Sequence, residues 1–107
     1  MSRTLSPALQ KLIASFKQAL PDKFAEIQAL HIAQPITDEQ ALQDYYTAVH
    51  RLAGSAGSYG FRPVSESARI LDRYLSDVIA QEVTYDAERA AGLLADLQQV
   101  IEDAAAG

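Results

Sequence analysis

Apolar residues recur every three or four positions through most of the chain, which is the spacing of one face of an α-helix. The clearest run lies in the middle of the sequence and consists of Leu42, Tyr45, Val49, Leu52, Ala56 and Tyr59. No segment alternates between apolar and polar residues over the length of a β-strand. The sequence therefore predicts an all-α fold.

Prolines and capping residues mark where the helices are expected to begin. Ser6-Pro7 predicts a short first helix, because serine caps a helix and proline suits its first position. Pro21 is expected to open a second helix, and Thr37-Asp38-Glu39-Gln40 has the pattern of a capping box for a third. Arg62-Pro63 and Thr84-Tyr85-Asp86 precede the last two. Short connections favour an antiparallel four-helix bundle with a short additional N-terminal helix. The residues expected in its core include Tyr45, Val49, Leu52, Leu71 and Leu94.

Length and composition exclude several classes of protein. At 107 residues the chain has room for one hydrophobic core, so residues 1–107 are expected to form a single domain. A net charge of −5 disfavours nucleic-acid binding, because contact with phosphates requires a basic surface. The chain has no cysteine, and no apolar stretch of it approaches the about 20 residues of a membrane span. We therefore expect a cytoplasmic protein that binds neither nucleic acid nor membrane.

The most unusual local feature surrounds His50. This residue follows Val49 of the apolar run, so its ring is expected at the edge of the buried face. Ala53, Gly54 and Gly57 lie three, four and seven positions further on and share its side of the helix. Each glycine inside a helix costs about 0.5–1 kcal/mol relative to alanine. Accepting this cost beside an imidazole predicts that something large approaches it.

Other kinds of site find little support in the sequence. His31 and His50 are 19 residues apart and lack the spacing of a helical zinc site, so no metal is predicted. His31 falls at the expected end of a helix, where a cation interacts favourably with the last carbonyls. Ser55 points away from His50, which disfavours a serine nucleophile. The glycines are not followed by the Lys-Ser/Thr pair of an ATP-binding loop.

The segment from His50 to Gly60 resembles the signature of the histidine-containing phosphotransfer (HPt) domain. In that family the phospho-accepting histidine is followed by a hydrophobic residue, a lysine, a glycine, two small residues and a further glycine. The residues that match here are Leu52, Gly54, Ser55, Ala56 and Gly60. The chain length and the predicted bundle agree with the family over nearly the whole sequence.

The sequence departs from the family pattern at two positions. Ala53 stands where the family usually has lysine, and Asp72 stands where the next helix commonly supplies a glutamine to the imidazole. The resemblance then implies that another cation stabilises the phosphoryl group. The candidates are Arg51, Arg69 and Arg73. In their alternative role these are surface arginines that pair with Asp72 and Glu66.

The resemblance implies that the protein is a phosphorelay intermediate. His50 would take a phosphoryl group from the aspartate of a response-regulator receiver domain and pass it to another receiver, because a neutral imidazole is a good nucleophile. The receiver would bring the Mg²⁺, so the protein needs no cofactor of its own. The implied partners are receiver domains and a hybrid sensor histidine kinase, and the protein is expected to be a monomer. The residues expected to contact a docked partner are Gly54, Gly57, Ala53, Gln43 and Tyr46.

Two alternatives stay open at the level of the sequence. One is an HPt-like helical module that binds receiver domains without accepting phosphate, which the departures at Ala53 and Asp72 favour. The other is the phospho-accepting dimerisation domain of a sensor kinase. That second alternative requires a dimer and an adjacent ATP-binding domain, for which the sequence has no motif.

Overall fold

The computed structural model describes residues 6–32 and 38–107, and within these ranges it contains four α-helices and no β-strand. The helices are α1 (Pro7–Ile32), α2 (Glu39–Ser58), α3 (Arg62–Ile79) and α4 (Ala87–Ala106). Each helix packs against the next in sequence, and α4 packs against α1. Neighbouring helices run antiparallel, as when Phe16 early in α1 meets Tyr59 at the end of α2. The predicted all-α four-helix bundle is confirmed.

One helix boundary expected from the sequence is wrong. Pro21 lies inside α1 and does not open a second helix, so Pro7–Ile32 is one helix and not a short helix followed by a longer one. An interior proline costs about 3 kcal/mol, because it removes one backbone hydrogen bond and crowds the preceding turn. Continuity of α1 keeps four large apolar side chains on one buried face, and burying each contributes about 1.5–3 kcal/mol. These side chains are Phe16, Leu20, Phe24 and Ile27.

Side-chain caps fix the starts of three helices. Ser6 accepts a hydrogen bond from the first turn of α1 at 3.1 Å. Asp38 does the same for α2 at 2.9 Å, and Asp86 for α4 at 2.9 Å. The helix starts predicted at Ser6 and Asp86 are therefore confirmed, whereas the cap of α2 is the second residue of the predicted capping box. Each such cap contributes about 0.5–2 kcal/mol. Thr37, the first residue of the predicted capping box, lies outside the described residues.

A tight turn joins α2 to α3 and holds these two helices close together. Gly60 has a φ of +84°, a left-handed conformation that favours glycine. The N–H of Phe61 donates to the carbonyl of Ala56 at 2.8 Å, which closes the end of α2. Pro63 follows in the first turn of α3. Backbone N–H groups in the first turn of a helix have no partner within the helix, so a proline there costs no hydrogen bond.

The core runs along the axis of the bundle and contains side chains from all four helices. The five residues predicted for the core are all buried, namely Tyr45, Val49, Leu52, Leu71 and Leu94. Burial raises the pKa of the Tyr45 hydroxyl far above its usual range, and Tyr85 and Tyr74 add to the shift. Leu9 and Leu12 also follow the helical spacing of apolar residues, but they are exposed, because the first turns of α1 extend beyond the buried core.

Candidate functional site

His50 lies on α2 at the side that faces α3. Its side chain is 63% exposed, and its Nδ1 lies 2.9 Å from Oδ2 of Asp72 on α3. Asp72 is largely covered, with a side-chain exposure of 18%. This is the one hydrogen bond that the imidazole makes to the described part of the chain. The ring is therefore anchored at one edge and open to solvent at the other.

The carboxylate of Asp72 decides which ring nitrogen is free. An ionised carboxylate only accepts hydrogen bonds, so Nδ1 of His50 carries the hydrogen and donates it. In the neutral ring Nε2 then holds the lone pair. Nε2 has no hydrogen-bond partner among residues 6–32 and 38–107 and can act as a nucleophile towards a molecule that approaches from solvent.

Tyr46 supports the imidazole from the preceding turn of α2. The two ring centroids are 5.4 Å apart and the ring planes are inclined by 26°. Stacking of this kind stabilises a ring pair by about 0.5–1.5 kcal/mol. The sequence predicts Tyr46 as a partner contact, and the structure places it half-buried against His50. In this position it restricts the rotation of the imidazole.

The two glycines on the His50 side of α2 have different surroundings. A Cβ added at Gly54 would meet no atom within 4 Å, so this position opens directly to solvent. A Cβ at Gly57 would lie 3.1 Å from Oγ of Ser65 and 3.6 Å from the guanidinium of Arg69. Gly57 therefore allows α2 and α3 to approach each other closely. Gly54 is the glycine that leaves open space next to His50.

Ala53 does not lie on the exposed surface, so its predicted role as a docking residue is wrong. Its side chain is 3% exposed and belongs to the core. Three positions after His50 the helix has turned towards α3, where the carbonyl of Ala53 accepts a hydrogen bond from Ser65 at 2.8 Å. Gln43 is exposed, as expected, and lines a groove between the start of α2 and the end of α3.

A chain of hydrogen bonds places Arg69 beside the exposed side of α2 that carries His50, Gly54 and Gly57, which is called the His50 surface below. Ser65 is buried and donates its hydroxyl to the carbonyl of Ala53 at 2.8 Å. The same hydroxyl accepts a hydrogen bond from Nε of Arg69 at 3.2 Å. Arg69 and Asp72 are three residues apart and lie on the same side of α3. The guanidinium thus lies next to Gly57, on the surface that also carries His50.

The other two candidate arginines lie on different surfaces. Arg73 lines a groove between α3 and α4 together with Ile70. Arg51 lines a polar groove between α1 and α2 together with Lys23. Of the three arginines singled out from the sequence, the structure brings Arg69 to the His50 surface and directs Arg51 and Arg73 elsewhere.

Two residues of the site were not predicted to act there. For Asp72 the sequence predicts pairing with an arginine. Its alignment with the glutamine of the family pattern is the signal that could have indicated its contact with the imidazole. Glu66, the other acid expected to pair with these arginines, instead pairs with Arg62 at 2.8 Å on the surface. Ser65 gave no signal in the sequence, because its role depends on the contact between α2 and α3.

The second histidine lies away from this site. His31 is half-buried at the end of α1, and its Nδ1 lies 3.2 Å from the hydroxyl of Tyr45. The structure, over the residues it describes, has no group of three His, Cys, Asp or Glu side chains placed to bind a metal ion. Over the same residues, none of the helices combines the length and the apolar character that spanning a membrane requires.

Comparison with models of known families shows the family to which the chain belongs. The model of the Hpt domain matches residues 11–106, so the chain belongs to the Hpt domain family. This family carries out phosphotransfer in two-component signalling and interacts with receiver and kinase components. Neither the curated proteins nor the solved structures gave a significant match.

Proposed function

We propose that the protein is a phosphorelay intermediate in which His50 accepts a phosphoryl group from the aspartate of one receiver domain and passes it to the aspartate of another. The observation that carries this proposal is the geometry of the ring. Its Nδ1 is held by Asp72 at 2.9 Å, its other edge is exposed, and Gly54 leaves open space beside it.

In the accepting step the lone pair of Nε2 attacks the phosphorus of the aspartyl phosphate. The N–P bond forms as the P–O bond to the receiver's aspartate breaks, and the aspartate leaves with the electron pair of that bond. The ring of His50 then carries a hydrogen on Nδ1 and the phosphoryl group on Nε2, so the imidazole has become a cation. Asp72 stabilises this cation, because its carboxylate already accepts the Nδ1 hydrogen.

In the donating step the aspartate of the second receiver attacks the same phosphorus. The N–P bond breaks, its electron pair returns to Nε2, and the imidazole is neutral again. The receiver supplies the Mg²⁺ and the acidic pocket in which this exchange takes place. The bundle contributes a ring that Asp72 and Tyr46 hold in one orientation, which lowers the entropic cost of reaching the reactive geometry.

Arg69 takes the place of the lysine that the family pattern has at the position of Ala53. The support for this assignment is its position next to Gly57, where Ser65 fixes its Nε. A guanidinium on this surface can donate hydrogen bonds to the phosphoryl oxygens. The docking surface for the receiver then consists of Gln43, His50, Gly54, Gly57 and Arg69, and the upstream partner is a hybrid sensor histidine kinase in the cytoplasm.

The test is phosphotransfer from a receiver domain carrying a radioactive aspartyl phosphate. We expect an acid-labile, base-stable label on the protein that disappears in His50→Gln. His31→Gln is the matched control and should keep the label, since His31 lies on a different part of the bundle. A wild-type protein that binds the receiver but acquires no label contradicts the proposal and supports the receiver-binding module without transfer.

A further inference from the structure

Helix α1 extends past one end of the bundle. Its first core residue is Phe16, which contacts Tyr59 and Phe61 just beyond the end of α2. The nine residues from Pro7 to Ser15 precede this level and span about 13 Å, at 1.5 Å per residue. Helix α1 has 26 residues, whereas the other helices have 18 to 20. Residues 7–15 are called the α1 arm below.

The α1 arm continues the apolar face of α1 beyond the core. Leu12 lies four residues before Phe16, and Leu9 three residues before Leu12, so they occupy the same side of the helix. Their exposures are 37% for Leu9 and 53% for Leu12. An apolar face that continues a core stripe into solvent is typical of a surface that another surface covers.

An apolar groove lies at the same end of the molecule. It has a volume of about 320 Å³ and is lined by Gly60, Phe61, Pro63, Val64, Val100, Asp103 and Ala104. Phe61 packs against Phe16 where the α1 arm begins, with ring centroids 5.4 Å apart. The ammonium of Lys17 donates to the carbonyl of Gly107, which brings the end of α4 to the same level. The arm and the groove therefore lie side by side on one end of the bundle.

The α1 arm and the groove carry opposite charges. Lys11 is the charged residue of the arm, and no acidic residue precedes Asp22 in the chain. Asp103 lines the groove, in a protein whose net charge is −5, and one oxygen of its carboxylate accepts a hydrogen bond from Gln99 at 3.0 Å. The arm thus presents apolar side chains beside a cation, and the groove presents an apolar surface beside an anion. This is the complementarity that a second copy of the same chain would provide.

We propose that the α1 arm of one copy lies in the groove of a second copy, in an end-to-end dimer with two-fold symmetry. Because each copy carries both surfaces at the same end, one rotation places both arms in both grooves and closes the assembly. Leu9 and Leu12 enter the groove, and Lys11 pairs with Asp103. His50 lies well before the end of α2, so its surface stays open in the dimer.

The dimer is weak and depends on protein concentration, so the monomer expected from the sequence predominates in dilute solution. Each half of the interface consists of nine arm residues and one groove. We therefore expect the interface to bury less surface than the about 1,200–2,000 Å² of a standard protein–protein interface. The measurement is sedimentation equilibrium of the whole chain from micromolar to millimolar concentration. We expect the average mass to rise from the monomer value of 11.6 kDa towards twice that value.

Leu12→Glu should keep the protein monomeric at every concentration, with wild-type helix content and phosphotransfer. Ile70→Glu is the matched control, because Ile70 is equally exposed, at 55%, but lies in the groove between α3 and α4. This variant should dimerise like the wild type. A wild-type chain that stays monomeric throughout, or a Leu12→Glu variant that still dimerises, overturns the proposal and leaves the phosphotransfer role untouched.

Charge exchange tests which surface the α1 arm occupies. Lys11→Glu has an acidic arm and an acidic groove, and Asp103→Lys has a basic arm and a basic groove, so each should dimerise about tenfold more weakly alone. A mixture of the two variants should restore dimerisation, because both contacts of the mixed pair are then complementary. If Asp103→Lys dimerises like the wild type, the groove is not the binding surface and the proposal is wrong.

Discussion

The two histidines of the chain have similar contacts with opposite consequences. In each, Nδ1 meets one side chain of a neighbouring helix: Asp72 at 2.9 Å for His50, and the hydroxyl of Tyr45 at 3.2 Å for His31. Asp72 accepts a hydrogen, which leaves the lone pair of His50 on Nε2. The Tyr45 hydroxyl keeps its proton, because burial raises its pKa, and can donate it to Nδ1 of His31. The partner of a histidine therefore decides which ring nitrogen is available for chemistry.

The space around the two rings differs as well. His50 stacks on Tyr46 at one side and has the open surface of Gly54 at the other. His31 is half-buried and meets the ring of Tyr45 edge-on, with centroids 5.8 Å apart. The region of His50 is thus open to an approaching molecule, whereas the region of His31 joins α1 to α2. Four substitutions test this division, in order of decreasing effect.

Closing the open surface beside His50 should have the largest effect. Gly54→Gln adds a long side chain where a Cβ meets nothing, so it should block receiver docking and lower phosphotransfer more than about 100-fold. Circular dichroism should show helix content at or above the wild-type value, because glutamine favours helices more than glycine does. Gly92→Gln in α4 is the matched control, since a Cβ there also meets nothing, and it should transfer normally. Normal transfer by Gly54→Gln contradicts the docking surface.

Making the partner of His50 more like that of His31 should have the next largest effect. Asp72→Asn keeps the size of the side chain, but an amide both donates and accepts and carries no charge. The ring then loses its fixed tautomer and the anion that stabilises the phosphorylated cation. We expect phosphotransfer to slow by about 10–100-fold with unchanged affinity for the receiver, measured by rapid-quench kinetics and calorimetry. A wild-type rate would show that the carboxylate has no part in the chemistry.

The third substitution concerns Arg69, the cation proposed to stabilise the phosphoryl group on His50. Arg69→Ala should slow transfer by about tenfold, because it removes a charge-assisted hydrogen bond from the His50 surface. Arg73→Ala and Arg51→Ala are the matched controls, since their side chains line other grooves. Transfer rates measured with one receiver should separate the three variants. Equal rates for all three variants would contradict the assignment of Arg69 as the cation that stabilises the phosphoryl group.

Changing the partner of His31 should affect stability and leave phosphotransfer unchanged. At pH 7, Tyr45→Phe loses one hydrogen bond and about 0.5–1.5 kcal/mol of unfolding free energy. Above about pH 10 the unfolded chain releases its tyrosine protons while folded Tyr45 keeps its own, so wild-type stability falls as pH rises. Tyr45→Phe removes this contribution, and denaturant unfolding should show a shallower alkaline decline. Equal slopes for the two proteins would argue against burial of an ionisable hydroxyl.

Most of the fold could be predicted from the sequence, because helix periodicity and capping are local. Asp38 and Asp86 cap helices through backbone groups only a few residues away. Pro21 could not be interpreted in the same way. Its local preference is to begin a helix, but the burial of apolar side chains on both sides of it keeps α1 continuous. That burial depends on α2 and α4, which the local sequence does not describe.

The candidate site was predictable where it depends on one helix and less so where it depends on two. The exposure of His50 and the openness of Gly54 follow from their positions on α2. The burial of Ala53 and the tight fit at Gly57 follow from how closely α3 approaches. The position of Arg69 next to Gly57 has the same origin. The rotation of α3 about its own axis decides which of its side chains reach α2, and no single-helix pattern specifies it.

Within the described chain, every residue that touches or flanks the imidazole comes from the hairpin of α2 and α3. Helices α1 and α4 complete the core and contribute no contact to the ring. Under the proposed function, recognition and scaffolding are therefore carried out by separate segments of one small protein. Substitutions in the outer pair of helices are free to change the free energy of unfolding while the choice of receiver stays the same. Relatives that serve the same receivers are then expected to differ most in α1 and α4.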